Sequence, residues 1–337
     1  MQTSRLSLAL DAQEVSLPAE GRILALRARA ADDLAVLPAD RLDILQSFAP
    51  DHTALKARGF HMVEAPAATP YAAALVFLTR SKIESQQLIA QAVAATGGGL
   101  VLVDGQKTDG TDSLLKALRK RVPGHVAAFS KAHGKLIWFT GGGNFADWAQ
   151  ATVDSPEGFQ TVPGVFSADR IDRGSALLAE ALPAKLPAHV VDLGAGWGFL
   201  SRAILAREGV QRLDLVEAEG LALTCAKANI TDARAQFHWA DATDFILDTP
   251  ADAVVMNPPF HTGRAGDPAL GQAFIEAAAR LLKPNGSLWM VANRHLPYEA
   301  KLAALFRDVK DAGGDSGFKI LYAQGPVRRK TAPRRGA

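Results

Sequence analysis

Apolar, β-branched runs of strand length alternate with helical stretches along the whole sequence. This alternation is what most constrains the fold, because it calls for parallel strands covered by helices, an α/β protein. In the first half a strand over 74–78 precedes a helix over about 82–95 that Gly97-Gly98-Gly99 stops. A strand over 100–104, a helix around 114–120 and a last strand over 135–139 follow. The second half has the same order: a strand over 253–256, a helix over about 272–282, the stop Lys283-Pro284-Asn285-Gly286, a strand over 288–291, a helix around 302–306 and a strand over 318–322. Elements that match in type, order and rough length, with different residues between them, read as a duplicated doubly wound domain. Glycines and Pro156 interrupt periodicity between Gly141 and Gly164, so the expected domains are 1–150 and 160–325, followed by a basic tail over 326–337.

Lys and Arg number 37 against 35 Asp and Glu, a net charge of +2 that is too balanced for a polyanion-coating protein. Nucleic-acid contact must then be local, and Lys116, Arg119, Lys120 and Arg121 form one cluster that suits it as well as it suits a solvated helix face. A single cysteine, Cys225, excludes an intrachain disulfide or a thiolate zinc cluster, and the eight histidines show no paired spacing with it, so no metal is expected. Residues 1–6 lack an apolar signal core, and no apolar run approaches the ~20 residues of a spanning helix. The expectation is a cytoplasmic protein without membrane contact.

The segment His189-Val190-Val191-Asp192-Leu193-Gly194-Ala195-Gly196-Trp197-Gly198 reads as a buried strand running into a glycine turn, at the end of the sheet where ligands bind. Gly194, Gly196 and Gly198 follow Gly-x-Gly-x-Gly spacing, whereas a dinucleotide fingerprint needs Gly-x-Gly-x-x-Gly, which disfavours a pyrophosphate cradle. Glu217 ends the next strand, 23 residues after Gly194, where a carboxylate can accept two hydrogen bonds from a ribose diol. Asp241 follows a third apolar run and is placed to accept from an adenine amino group. Asp192 can hold the glycine loop or meet a cationic amino-acid moiety. A nucleoside that carries an amino acid and no phosphate is S-adenosylmethionine. For the glycine run alone, a structural strand-to-helix turn is the alternative.

The fourth strand runs into Asn257-Pro258-Pro259-Phe260. Two prolines cannot extend a central strand, so they set a rigid elbow. An exocyclic amine on a base is a poor nucleophile, because its lone pair is delocalised into the ring. The Asn257 side-chain oxygen and the Pro258 carbonyl can accept its two N–H bonds and favour the pyramidal nitrogen. Phe260 offers a face on which the base can stack. Such a site needs an unpaired or flipped-out nucleotide and no strong base. His261 and Arg264 follow as candidate contacts to the target's phosphate or base edge, with a solvated loop as the other reading.

With these residues assembled, the C-terminal half resembles a class I S-adenosylmethionine-dependent methyltransferase. The whole chain resembles the bacterial ribosomal RNA small subunit methyltransferase C family, which methylates the N2 amine of one guanine in 16S rRNA. The resemblance is carried by Pro163-Gly164-Val165-Phe166-Ser167, by Asn257-Pro258-Pro259-Phe260-His261 and by Val291-Ala292-Asn293-Arg294-His295-Leu296-Pro297-Tyr298. Trp197 and Phe199 depart from it, making the glycine loop more aromatic. The resemblance implies two tandem Rossmann-like methyltransferase domains, the first degenerate and serving support and RNA contact. In keeping with that, residues 23–28 contain no glycine, and Leu78-Thr79-Arg80-Ser81 stands where the second half has its Asn-Pro-Pro-Phe. The expected partner is 16S rRNA in the small subunit or an assembly intermediate, and the expected state is a monomer. Methylation of a 23S rRNA guanine, or of a protein glutamine, is the alternative.

Overall fold

The computed structural model describes residues 4–150, 152–259 and 268–327. The chain divides into two compact units, Met1–Val153 with Val162–Gly164, and Asp154–Thr161 with Val165–Ala337. The division is therefore not one cut, since the segment 154–161 belongs to the second unit and the three residues after it to the first.

In the first unit α1 (Arg5–Asp11), β1 (Ile23–Leu26), β2 (Leu42–Leu45), α2 (Ala49–Ala57), β3 (His61–Met62), β4 (Ala73–Phe77), α3 (Lys82–Thr96) and β5 (Leu100–Gln106) are followed by α4 (Thr111–Arg121), β6 (Ala127–Lys131), β7 (Gly134–Phe139) and α5 (Ala146–Ala149). The sheet order is β3-β2-β1-β4-β5-β7-β6, with β7 antiparallel to both neighbours and the other pairs parallel. β1 and β4 are buried at every position because helices cover both faces, which is why they read as unbroken apolar runs. Successive residues serve opposite cores: Leu24, Ala74, Val76 and Val101 pack with α3, while Ile23, Ala25, Leu42 and Leu75 pack with α1 and α2. Ser81 caps α3 by accepting from the Glu84 N–H, and Gly97 ends it at φ +58°.

The second unit holds α6 (Arg173–Ala181), β8 (His189–Leu193), α7 (Phe199–Leu205), β9 (Arg212–Glu217), α8 (Gly220–Asn229), β10 (Ala235–Trp239), β11 (Ala251–Met256), α9 (Pro268–Leu281), β12 (Leu282–Asn293), α10 (Glu299–Leu305), β13 (Phe306–Gly314) and β14 (Phe318–Pro326). Its order, β10-β9-β8-β11-β12-β14-β13, repeats the first strand for strand, including the antiparallel next-to-last member, β14, between β12 and β13. α9 ends at Leu281, just ahead of the stop expected at Lys283-Pro284-Asn285-Gly286, and that tetrapeptide is also a bulge inside β12: Ala251 pairs with Leu282 and Ala253 with Ser287, so it loops out of the ladder. β6 and β13, unread in the sequence, are the strands at one edge of each sheet. No described helix is long and apolar enough to cross a membrane.

The two copies part where their first strand ends. Arg27 N donates to Leu45 O in the first unit, and Gly194 N to Val216 O in the second, so Arg27 and Gly194 hold matching positions. Both are left-handed, Gly194 at φ +85° and Arg27 at φ +61°. Arg27 fills the space that a glycine leaves: its guanidinium pairs with Glu84 at 3.0 Å and bonds Gln46 and Ser47. Gln46 matches Glu217, as each accepts from the backbone N–H two residues on. The first copy thus carries a neutral amide in place of that acid and an internal cation in place of an open loop.

Candidate functional site

The site is built where β8, β9 and β11 end. Gly194 N and Ala195 N both donate to Val216 O, at 2.8 and 3.0 Å, which folds the loop back over β9. Gly194, Gly196 and Gly198 have φ of +85°, +57° and +95°, a region that favours glycine. Their surroundings differ. A Cβ on Gly196 would meet nothing within 4 Å, whereas one on Gly198 would lie 2.8 Å from Ile230 Cδ1. Gly196 leaves the backbone open to a cavity, and Gly198 lets α7 start close against α8.

Glu217 clamps this loop. Its Oε2 accepts from Gly196 N at 2.8 Å and its Oε1 from Glu219 N at 2.7 Å, while burial pushes its pKa up. Asp192 lies beneath the loop with no exposure. Ser201 Oγ donates to its Oδ2 at 2.6 Å, and its Oδ1 is buried without a hydrogen-bond partner. Burial, with the nearby Glu217 charge adding to it, pushes Asp192 up to about 7. Among the described residues neither carboxylate has an ion-pair partner, so the two resist ionising together, and a cation bound nearby would favour their charged forms. Asp241 follows β10, whose end is tied to β9 by the Ala240 N bond to Glu217 O. Its Oδ1 accepts from Thr243 N and Oγ1 and shapes the turn there.

The cavity is lined by Phe166, Asp172, Ser175, Gly194–Trp197 and Asn257, with Ser167, Phe199 and Leu200 completing it. Of the candidate catalytic and cofactor-binding residues, it brings together Gly194, Gly196 and Asn257. Asp192 and Glu217 sit behind the loop, and Gly198 and Asp241 do not line it. Asn257 Nδ2 donates to Asp172 Oδ2 at 2.9 Å and to Ser175 Oγ at 2.8 Å. Pro258 is buried and Pro259 exposed, while Phe260, His261 and Arg264 lie outside the described residues.

The sequence reading missed Asp172 and Ser175, which come from the start of α6, ahead of the first strand of this unit. Their signal was the Asp-x-x-Ser spacing of a helix start: Asp172 Oδ2 accepts from Ser175 N at 2.8 Å. The aromatic departure in the glycine loop also has a purpose. Trp197 Nε1 donates to Phe166 O at 2.8 Å and its ring packs edge-on against Phe159. Asn229 bonds both Trp197 O and Gln160 O, and the Arg202 guanidinium lies 3.5 Å over the Phe159 ring. These contacts tether the cavity wall at Phe166, itself 66% exposed, to the glycine loop.

These residues fit S-adenosylmethionine. The orphaned Asp192 oxygen and the paired acids suit its positive charge, the open Gly196 admits close approach, and among the described residues no Lys or Arg lines the cavity to hold a phosphate. Among the described residues no His, Cys, Asp and Glu grouping could hold a metal ion.

The family model described as methyltransferase small domain matches residues 157–322. The chain is 32% identical over 259 residues to ribosomal RNA large subunit methyltransferase G of Shewanella amazonensis, covering 74% of this chain and 66% of that protein. Ribosomal RNA small subunit methyltransferase C of Hahella chejuensis is 33% identical over 65% of this chain and 67% of its own length. The protein of the same name from Shewanella loihica is 30% identical over 76% and 78%. The chain thus spans about two thirds of the first two of these relatives. A structure described as T. thermophilus 16S rRNA N2 G1207 methyltransferase in complex with AdoMet and guanosine shares the fold over 93% of this chain and 90% of that one, at a TM-score of 0.78 and 24% identity. With its duplicated sheets, its glycine loop over two acids and its Asn-Pro-Pro corner, this chain belongs to the ribosomal RNA small subunit methyltransferase C family of class I S-adenosylmethionine-dependent methyltransferases.

Proposed function

We propose that the second unit transfers a methyl group from S-adenosylmethionine to the exocyclic N2 amine of a guanine in 16S rRNA. The observation that carries this reading is the orientation of Asn257. With Nδ2 held by Asp172 and Ser175, its Oδ1 is left as an acceptor, and it makes no hydrogen bond among the described residues. An acceptor suits an amine, whose two N–H bonds it and the neighbouring Pro258 carbonyl draw into line.

When bound, S-adenosylmethionine supplies a methyl carbon made electrophilic by its sulfonium. Gly194, Gly196 and Gly198 give the loop its path, Asp192 and Glu217 supply the negative charge beneath it, and Asp241 serves the base beyond β10. Asn257 and Pro258 hold the attacking nitrogen, and Pro259 stiffens the corner that carries them. Phe260 supplies the stacking face, and His261 and Arg264 contact the target strand. The methylated amine, briefly cationic, loses its proton to water, so orientation suffices and no general base is required.

The first unit supports the second and contacts RNA. In it Arg121 is committed to Asp147 and to the Trp148 ring, so the RNA contact falls to the exposed Lys116, Arg119 and Lys120 of α4 and to the basic tail over 326–337, whose residues after 327 lie outside the described ones. The enzyme acts in the cytoplasm, as a monomer, on the small subunit or an assembly intermediate. Support comes from the relatives named for the small subunit and from the T. thermophilus structure described with guanosine. The relative named for the large subunit keeps 23S rRNA as the second reading. Methyl transfer from labelled S-adenosylmethionine to separated small and large subunits decides between them. Label in the small subunit is expected, and label confined to the large subunit, or to a glutamine in protein, overturns the proposal.

A further inference from the structure

We infer that Asp172 and Ser175 form a clamp that sets which atom of Asn257 the target amine meets. The inference rests on the reading of Asn257 as the amine's acceptor and adds two positioning residues to it. A side-chain amide can turn over, exchanging a carbonyl oxygen for an NH2 group. Turned the wrong way, Asn257 would offer donors to a donor, and the amine would be repelled.

The clamp removes that freedom by chemistry. A carboxylate only accepts, so the amide atom 2.9 Å from Asp172 Oδ2 has to be nitrogen. Ser175 Oγ takes the second N–H at 2.8 Å, which satisfies both donors of Asn257 from one side. Oδ1, across the amide, is then free of α6. The Asp172 charge also polarises the amide, making Oδ1 a stronger acceptor as positive charge builds on the nitrogen.

The local sequence is arranged for this double duty. Asp172 Oδ2 accepts from Asn257 while it caps α6 through Ser175 N. Gly174, between them, is needed for clearance: a Cβ there would lie 3.1 Å from Asp172 Oδ2 and 3.1 Å from the Phe318 ring. Ser175 is 8% exposed, so its hydroxyl serves the interior of the site.

Three substitutions separate the clamp from a plain helix cap, with kcat, the KM for RNA, S-adenosylmethionine affinity by calorimetry and Tm all read. Asp172→Ser keeps a good cap but is too short to reach Asn257. Asp172→Asn keeps an oxygen in place without the charge. Ser175→Ala removes the second acceptor alone. For Asp172→Ser we expect kcat to fall by ~10- to 100-fold, the scale of one charge-assisted hydrogen bond in the transition state, with cofactor affinity within twofold and Tm nearly unchanged. Asp172→Asn, which keeps an oxygen in reach but neither the charge nor the acceptor-only character, should recover only part of that loss, and Ser175→Ala should lose several-fold. Wild-type kcat in Asp172→Ser, or an Asp172→Asn no more active than Asp172→Ser, or one as active as wild type, overturns the clamp. Asn257→Ala is the control for the reading beneath it: if that variant turns over at the wild-type rate, the acceptor role of Asn257 fails, whereas an inactive Asn257→Ala beside a fully active Asp172→Ser sinks the clamp alone.

Discussion

Replacing Asp192 by Asn tests the electrostatics under the glycine loop. The folded carboxyl, without solvent exposure and pushed up to about 7, keeps a proton that the unfolded chain releases near pH 3.8. Between those values the unfolded state binds fewer protons, so stability falls as pH rises, by about 1.4 kcal/mol per unit, and levels off above the folded value. From pH 5 to pH 8 this removes roughly 2–3 kcal/mol, or about 5–10 °C in Tm for a unit of this size. The amide introduced by Asp192→Asn would not titrate, and its side-chain oxygen can still accept from Ser201. The difference in Tm between variant and wild type, followed by calorimetry at several pH values, should therefore widen in the variant's favour across that window. S-adenosylmethionine affinity should rise with pH through about 7 in the wild type, as the carboxylate buried beneath the glycine loop ionises, and be weaker and flat in the variant. Parallel stability profiles for the two proteins would refute the buried-acid argument.

Three further outcomes are expected. Asn257→Ala should lower kcat by at least about 100-fold while leaving cofactor affinity within twofold, as single-turnover kinetics and calorimetry would show, because the amide acts on the base. Gly198→Ala forces a left-handed alanine against Ile230 and should cost about 1–3 kcal/mol in urea unfolding, whereas Gly196→Leu should weaken cofactor binding more than it lowers stability. In the first unit, Arg27→Ala removes the internal cation and its bonds to Glu84, Gln46 and Ser47, and should destabilise the fold while creating no cofactor binding there.

What could be read in advance depended on burial. β4 is covered on both faces and apolar throughout, and β5, β8 and β11 carry buried apolar runs at Leu100–Val103, Val190–Val191 and Ala253–Met256. β13 is an edge strand, exposed at nearly every position and rich in charge from Arg307 to Asp311. Edge strands need no apolar pattern and gain from charge that blocks further pairing, so no periodicity marks β13. The Lys283–Gly286 tetrapeptide has helix-stop composition, and the same residues suit a bulge.

At the site, glycine spacing and the Asn-Pro-Pro corner were legible because rare backbone geometry demands rare residues. Asp172 and Ser175 were not, since they reach Asn257 from 85 and 82 residues away and carry the ordinary residues of a helix start. Arg121 shows the opposite failure, standing in a basic run that suits RNA while its guanidinium serves Asp147 and Trp148.

Everything said of Asn257 requires that the accepting atom be an exocyclic amine of guanine. Digesting the methylated RNA to nucleosides and separating them by mass spectrometry identifies that atom directly. The label should appear as N2-methylguanosine from 16S rRNA and vanish in the Asn257→Ala reaction. Label recovered on a ring nitrogen, a ribose or an adenine would contradict the account.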